Sequence, residues 1–309
     1  MVTQGFKSMR TNEIEEKIRR LKREKNAIIL AHNYQELPVQ KVADFTGDSL
    51  QLSQMAAELQ EEIIVFCGVR FMAETAKLLK PKAKVLLPVL EAGCPMADMI
   101  TGEQLRNFKA QYKDAVVICY VNSAVEVKAD SDICCTSGNA VKVVNSIPAD
   151  QQILFVPDRN LGSYAARMTG RNIIVWQGFC NVHEFITEFD VNIARRKYPG
   201  YKFIAHPECR PAVLEMADLV ASTRGMIDYV DEHDKVIIGT ETGLYYQLQD
   251  KYPGKKLAPV SEKAICLNMK KTRLEDVLRS LEREEFEITI PVGIAKNALR
   301  SVQKMLSIR

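Results

Sequence analysis

Short, nearly unbroken apolar runs closed by polar or aromatic groups recur through this chain. AIILAHNY (27–34), AVVICYVN (115–122) and YKFIAHPE (201–208) share that form. Runs of this length without polar alternation read as strands buried on both faces of a parallel sheet. Their closing groups are His32, Tyr120 and His206, at offsets of 120 − 32 = 88 and 206 − 120 = 86 residues. About one helical turn follows each run, then an aspartate and a second short run ending on a hydroxyl: Asp44 to Ser49, Asp132 to Ser137 and Asp218 to Thr223. Amphipathic segments come next (50–60, 138–147, 224–233), then strands EIIVFCG (62–68), QILFVPD (152–158) and KVIIGT (235–240). Helices near 70–80, 160–169 and 242–252 lead to a last strand in each unit. These are KVLLPV (84–89), NIIVWQ (172–177) and KLAPV (256–260), the third weakened as a strand by Pro259.

Self-similarity at a fixed period marks a repeat architecture. The β-α-β-α-β-α-β order predicts an α/β protein of three homologous αβα sandwich domains, each with a Rossmann-like parallel sheet. Ligand crevices lie at the carboxyl ends of such strands, so a pseudo-threefold arrangement would place three crevices around one central cavity. The expected divisions are 1–96 with an N-terminal helix, 97–182 and 183–268. The segment 269–309 has no repeat partner and is expected to pack back on the first repeat. Longer helices at 11–25, 101–110, 183–198 and 272–285 would link or cover the units.

Composition narrows this only slightly. With 309 residues, 47% hydrophobic and 26% charged, the chain has enough apolar material for a sizeable core, and disorder is excluded. A net charge of +3 is close to balance, and the basic stretch from Lys17 to Lys25 is interleaved with Glu15, Glu16 and Glu24, as on a solvated helix face. Nucleic acid is therefore not an expected partner. The opening MVTQGFKSMR has no apolar leader, and no run approaches the ~20 apolar residues of a membrane span, so a cytoplasmic location is expected and no membrane.

The eight cysteines split into two groups. Cys94, Cys180 and Cys266 are evenly spaced, 180 − 94 = 86 and 266 − 180 = 86, and each follows the last strand of its unit. Cys67, Cys119, Cys134, Cys135 and Cys209 keep no common period and read as small buried apolar residues. Three thiolates meeting on a threefold axis suit a [4Fe-4S] cluster with one open iron, or zinc completed by histidine or water. An open iron is a Lewis acid suited to dehydration.

Ser49, Ser137 and Thr223 stand where helices begin, and are expected to be N-caps whose helices point positive ends at a small, multiply anionic ligand. The strand ends His32-Asn33-Tyr34, Tyr120-Val121-Asn122 and His206-Pro207-Glu208 add general acid and base groups. His183, three residues after Cys180, is a further candidate near the centre, and His233 reads as surface.

HNYQ (32–35), GDSLQL (47–52), GCPMAD (93–98), YVNS (120–123), PDRNLG (157–162), HPEC (206–209), GTETG (239–243) and CLNMKK (266–271) together resemble the quinolinate synthase family, in order over roughly residues 12–295. The resemblance implies three pseudo-threefold αβα domains around one [4Fe-4S] cluster whose only protein ligands are Cys94, Cys180 and Cys266. It implies that iminosuccinate, made by an L-aspartate oxidase that could contact this chain transiently, condenses with dihydroxyacetone phosphate to quinolinate, phosphate and water on the route to NAD. Substrate contacts would fall to His32, Ser49, Tyr120, Val121, Asn122, Ser137, His206, Pro207, Glu208 and Thr223. Tyr34, Glu208, His206 and His32 would be the catalytic groups. Some relatives carry extra cysteines after the third ligand that form a redox-sensitive disulfide; here Leu267, Asn268 and Met269 follow Cys266, and no such switch is expected. Without the resemblance, the residues also fit another open-iron dehydratase or a zinc or periplasmic-type binding protein.

Overall fold

Among the residues described by the structure, a computed structural model covering 11–308, twelve strands form three four-stranded sheets. The opening MVTQGFKSMR lies outside the described residues. A leading helix α1 (Thr11–Glu24) precedes the first unit: β1 (Ala27–His32), α2 (Leu37–Val42), β2 (Phe45–Gly47), α3 (Ser49–Glu58), β3 (Ile63–Cys67), α4 (Arg70–Leu79) and β4 (Lys84–Leu86). Helix α5 (Gly102–Ala110) leads into β5 (Val116–Tyr120), α6 (Val125–Ala129), β6 (Ile133–Cys135), α7 (Ala140–Asn145), β7 (Ile153–Val156), α8 (Arg159–Thr169) and β8 (Ile173–Val175). Helices α9 (Asn181–Glu184) and α10 (Glu188–Lys197) precede β9 (Lys202–Ala205), α11 (Pro211–Glu215), β10 (Leu219–Val220), α12 (Thr223–Glu232), β11 (Lys235–Gly239), α13 (Thr242–Lys251) and β12 (Lys256–Pro259). The strand orders are β2-β1-β3-β4, β6-β5-β7-β8 and β10-β9-β11-β12, and the paired strands run parallel. The three-unit α/β architecture read from the apolar pattern is the observed one.

The apolar runs are strands because helices cover both faces of each sheet: every residue of β1, β3 and β7 is buried. Each fully buried Ile, Leu or Phe contributes roughly 1.5–3 kcal/mol. The recurring aspartates set the register. Asp44 Oδ2 accepts the Ile29 N–H at 2.8 Å, Asp132 Oδ2 that of Val117 at 2.9 Å, and Asp218 Oδ2 that of Phe203 at 2.9 Å. In each case the aspartate's own N–H returns to the same strand residue's carbonyl, at 2.9, 3.1 and 2.7 Å. This staple aligns the second strand with the first, and so fixes where the hydroxyl five residues later emerges.

Two expectations change. The helix anticipated over 183–198 is broken: Thr187 and Asp190 form a reciprocal capping box that starts α10 afresh after α9. The segment after Met269 does not return wholly to the first unit. Helix α14 (Leu274–Arg283) packs on α1 and β3, and 286–288 adds an antiparallel edge beside β4 through Leu87 N–H to Phe286 O and Ile288 N–H to Val85 O. Helix α15 (Val292–Ser307) instead lies chiefly over α6 and β6 of the second unit. Ser301 Oγ donates to Lys128 O at 2.8 Å there, and its buried face (Ala298, Val302, Met305) covers that sheet's apolar side. Among the described residues, no helix is long and apolar enough to cross a membrane.

Candidate active site

The carboxyl ends of the first strands turn sharply, and in two units a histidine shapes the turn. His32 Nδ1 accepts the Tyr34 N–H at 3.1 Å, and His206 Nδ1 accepts the Glu208 N–H at 3.4 Å. An acceptor Nδ1 assigns the proton to Nε2, so each imidazole keeps an N–H donor on its far side. His206 Nε2 lies 3.2 Å from Ser137 Oγ. Burial holds both imidazoles down at about 3, with Lys270 adding to the effect at His32 and the Glu208 carboxylate opposing it at both. They are neutral donors throughout the physiological range.

The expectation that Ser49, Ser137 and Thr223 are N-caps is corrected. Asp48 caps α3 and Ser222 caps α12, so Ser49 and Thr223 are the first helical residues, and in the second unit the helix begins later, after Asn139. A hydroxyl relieved of capping is available to a neighbour or ligand. Asn33 Nδ2 donates to Thr223 Oγ1 at 3.1 Å, which joins the first unit to the third, as Ser137 and His206 join the second to the third. All three hydroxyls line one cavity with His32, Tyr34, Tyr120, Asn122, His206 and Glu208, among other residues. It encloses about 680 Å³ between atoms, part of it open to solvent. Asn122 Oδ1 and Glu208 Oε1 are buried there without a protein hydrogen-bond partner.

A hydrogen-bonded path crosses the cavity wall. Tyr34 OH is 2.6 Å from Thr240 Oγ1, which is 2.7 Å from His183 Nε2, while His183 Nδ1 is 2.6 Å from Glu208 Oε2. Burial alone would raise the Glu208 carboxyl, but His183 and His206 beside it, with the Tyr120 hydroxyl, hold it down at about 2. An ionised carboxylate only accepts, so His183 Nδ1–H donates to it; with a neutral imidazole, Nε2 accepts from Thr240 and Thr240 from Tyr34. Burial, and then the Glu208 charge, push both Tyr34 and Tyr120 well above the ordinary phenol value. The wall thus holds a neutral acid at one end and an anionic base at the other.

Cys94, Cys180 and Cys266 line the same cavity, half-buried, each heading an equivalent turn. The cysteine carbonyl accepts the N–H of the fourth residue on, Asp98, Glu184 or Lys270, at 3.2, 2.8 and 3.2 Å. Backbone N–H groups face the sulfurs: Ala97 and Met96 toward Cys94, His183 toward Cys180, Met269 and Asn268 toward Cys266. Burial pushes the Cys94 thiol up to about 12 and raises the other two, so in the absence of a metal they carry protons that a metal would displace. Three soft donors, one per unit and each faced by amides, fit an iron–sulfur centre that spans the units. The ligand atoms of Cys180, His183 and Glu208 also lie within 4.8 Å of one another. Both His183 nitrogens are already engaged by Thr240 and Glu208, so that trio reads better as part of the hydrogen-bonded path.

The other five cysteines are buried. Cys209 Sγ faces the Gly239 carbonyl at 3.7 Å, and Cys209 does not line the cavity. Nor do Val121 and Pro207: the Val121 N–H donates to Cys135 O at 2.8 Å, a sheet-edge role. Thr240 and Glu241 were not legible as site residues. Thr240 corresponds in the repeat to Gly68 and Pro157, so periodicity hides it; Glu241 has only the common helix-start signal.

The fold and site define a class of protein in which three repeated α/β units each bring one cysteine to a shared cavity that histidine, tyrosine and glutamate side chains also line. The chain belongs to the quinolinate synthetase A protein family, NadA, whose model matches residues 16–307. It is 52% identical over 297 residues to the quinolinate synthase of Methanoregula boonei, covering 96% of this chain and 98% of that one. It is 51% identical over 300 residues to the quinolinate synthase of Desulforudis audaxviator (96% and 99% covered). A third relative, the quinolinate synthase of Dehalococcoides mccartyi, is 49% identical over 302 residues.

Proposed function

We propose that this chain catalyses the condensation of iminosuccinate with dihydroxyacetone phosphate to quinolinate, phosphate and water in NAD biosynthesis, with a [4Fe-4S] cluster on Cys94, Cys180 and Cys266. Iminosuccinate would come from an L-aspartate oxidase, and the reducing cytoplasm suits a thiolate-held cluster. When bound, the cluster supplies a Lewis-acidic iron with no protein ligand of its own.

The rest is work for side chains. Both substrates are multiply anionic, and the His32 and His206 Nε2–H groups, the Ser49, Ser137 and Thr223 hydroxyls and the positive starts of α3 and α12 offer donors for carboxylate and phosphate oxygens. Ring closure and dehydration each require a proton taken from carbon or nitrogen and one given to a departing oxygen. Glu208 Oε1, buried and unpartnered, serves as the base, and Tyr34 as the acid. A proton taken by Glu208 and one given by Tyr34 leave a carboxylic acid and a phenolate, and the path through Thr240 and His183, with its hydrogen bonds reversed, returns the proton from Glu208 to Tyr34. Val69, Phe71, Met96 and Met269 in the lining favour exclusion of solvent.

The observation that carries this reading is the continuous Tyr34–Thr240–His183–Glu208 path beside three cysteines from three units. The test is an anaerobic assay of iron-loaded protein with both substrates: quinolinate is expected, and none from a loaded protein would refute the reading. A zinc centre on Cys180, His183 and Glu208 is the second reading, favoured by their mutual proximity. Zinc without iron in anaerobically purified protein would select it.

A further inference from the structure

We infer that Asp158 and Glu241 are positioning residues for Cys180 and Cys266, and that the first unit, with Val69 at the same place, leaves Cys94 the least tightly held thiolate of the three. The inference rests on the reading of these cysteines as ligands of one metal centre.

The three residues are structurally equivalent. Val69, Asp158 and Glu241 are the N-cap residues of α4, α8 and α13, which follow the third strand of each unit. Directly after each cap, a backbone N–H pins the cysteine loop in the same way. Arg70 donates to Ala92 O at 2.8 Å, Arg159 to Gly178 O at 2.8 Å and Thr242 to Ala264 O at 2.9 Å, each acceptor lying two residues before the cysteine. All three loops have that tie.

Only two have a buried carboxylate at the cap, beside the cysteine amide. Glu241 is fully buried, and its Oε1 accepts the Cys266 N–H at 3.1 Å while Oε2 accepts the Gly243 N–H at 2.6 Å. Lys270, in the cysteine turn itself, donates to the same carboxylate at 3.2 Å and also to the Tyr34 carbonyl. Asp158, equally buried, caps α8 through Oδ1 at 2.7 Å to Asn160 N and 2.9 Å to Leu161 N, and its carboxylate also faces the Cys180 amide. Oδ2 is buried and makes no hydrogen bond, so this carboxylate lies beside the Cys180 amide, whereas Glu241 bonds the Cys266 amide directly. A buried carboxylate that takes a ligand residue's N–H fixes the backbone from which the thiolate projects.

Val69 has no acceptor to offer Cys94. Cys94 and Gly93 also line a second, outer cleft with Arg70, Glu74, Asp98 and Glu126. The Cys94 edge of the centre is therefore the one with fewer ties and a second approach from outside.

The test uses the whole chain, loaded anaerobically with iron and sulfide, its iron counted, then challenged with a ferrous chelator and a thiol-alkylating reagent. Mass spectrometry reads the order of labelling. In the wild type Cys94 is expected to be alkylated before Cys180 and Cys266. Asp158→Ala and Glu241→Ala are expected to lose iron about 10–100-fold faster, with Cys180 and Cys266 respectively joining Cys94 in the early fraction. Asp158→Asn and Glu241→Gln, which keep an oxygen acceptor, are expected to recover most of the wild-type rate. Labelling of Cys180 or Cys266 first in the wild type would overturn the inference, with no variant needed; so would folded alanine variants that release iron at the wild-type rate. A wild-type chain that takes up no iron would overturn the metal reading itself, and this inference with it.

Discussion

The ends of β1 and β9 are the same piece of backbone put to opposite uses. Each closes on a histidine whose Nδ1 accepts the N–H two residues on, and each histidine carbonyl accepts the N–H three residues on, Gln35 or Cys209, at 2.9 Å. The residue between differs. In the first unit it is Tyr34, a phenol that burial and a nearby carboxylate keep protonated; in the third it is Glu208, a carboxylate that two imidazoles keep ionised. A repeat thus supplies matched positions, and divergence at one of them turns a symmetric frame into an acid facing a base. The second unit, with Tyr120 and Asn122, adds donors to the same cavity.

The largest effect tests what the two ends share. Serine at Cys94, Cys180 or Cys266 should abolish both iron content and quinolinate formation, measured by iron assay and product detection, whereas Cys209→Ser should leave both in place. If only one of the three mattered, a threefold centre would be wrong.

Glu208→Gln and Tyr34→Phe come next and should each lower kcat by about 10²–10⁴-fold, typical for loss of a positioned acid or base. A double variant no slower than either single one would mean that the two ends act as one unit. Thr240→Val, which cuts the path between them without touching either end, should cost kcat more than KM, and Thr240→Ser should restore it. Equal rates for Val and Ser would show that the hydroxyl carries no proton.

The pH dependence is the gentlest probe. His32 and His206 sit at about 3 in the folded chain, against about 6.5 unfolded, so the unfolded state binds more protons between those values. Stability is therefore full above about pH 6.5 and falls with decreasing pH by up to about 1.4 kcal/mol per unit for each histidine. Glu208, held at about 2, begins to lose its own contribution as pH drops below about 4.3. Urea midpoints at pH 7 and pH 5 should differ in that sense; identical midpoints would mean that the imidazoles are not buried as neutral groups.

Much of this was legible in advance, for a definite reason. Asp44, Asp132 and Asp218 recur because each staples two strands, and the cysteines recur because each heads the same turn, so both left a period in the chain. The caps of α3 and α12 lie one residue ahead of Ser49 and Thr223, since Asp48 and Ser222 offer equally good capping groups there. Val121 and Pro207 share strand ends with true cavity residues but face elsewhere, which alternation along a backbone decides only once the turn is known.

By itself the sequence determined three parallel-sheet units and the spacing of their cysteines, histidines and hydroxyls, because buried strands and repeated turns impose patterns on neighbouring residues. Tertiary structure alone decided that Thr240 and His183 bridge Tyr34 to Glu208, that Asp158 and Glu241 face cysteine amides across a loop, and that α15 lies on the second unit. Those contacts join residues distant in the chain through single hydrogen bonds or one helix face, and such contacts leave no period to read.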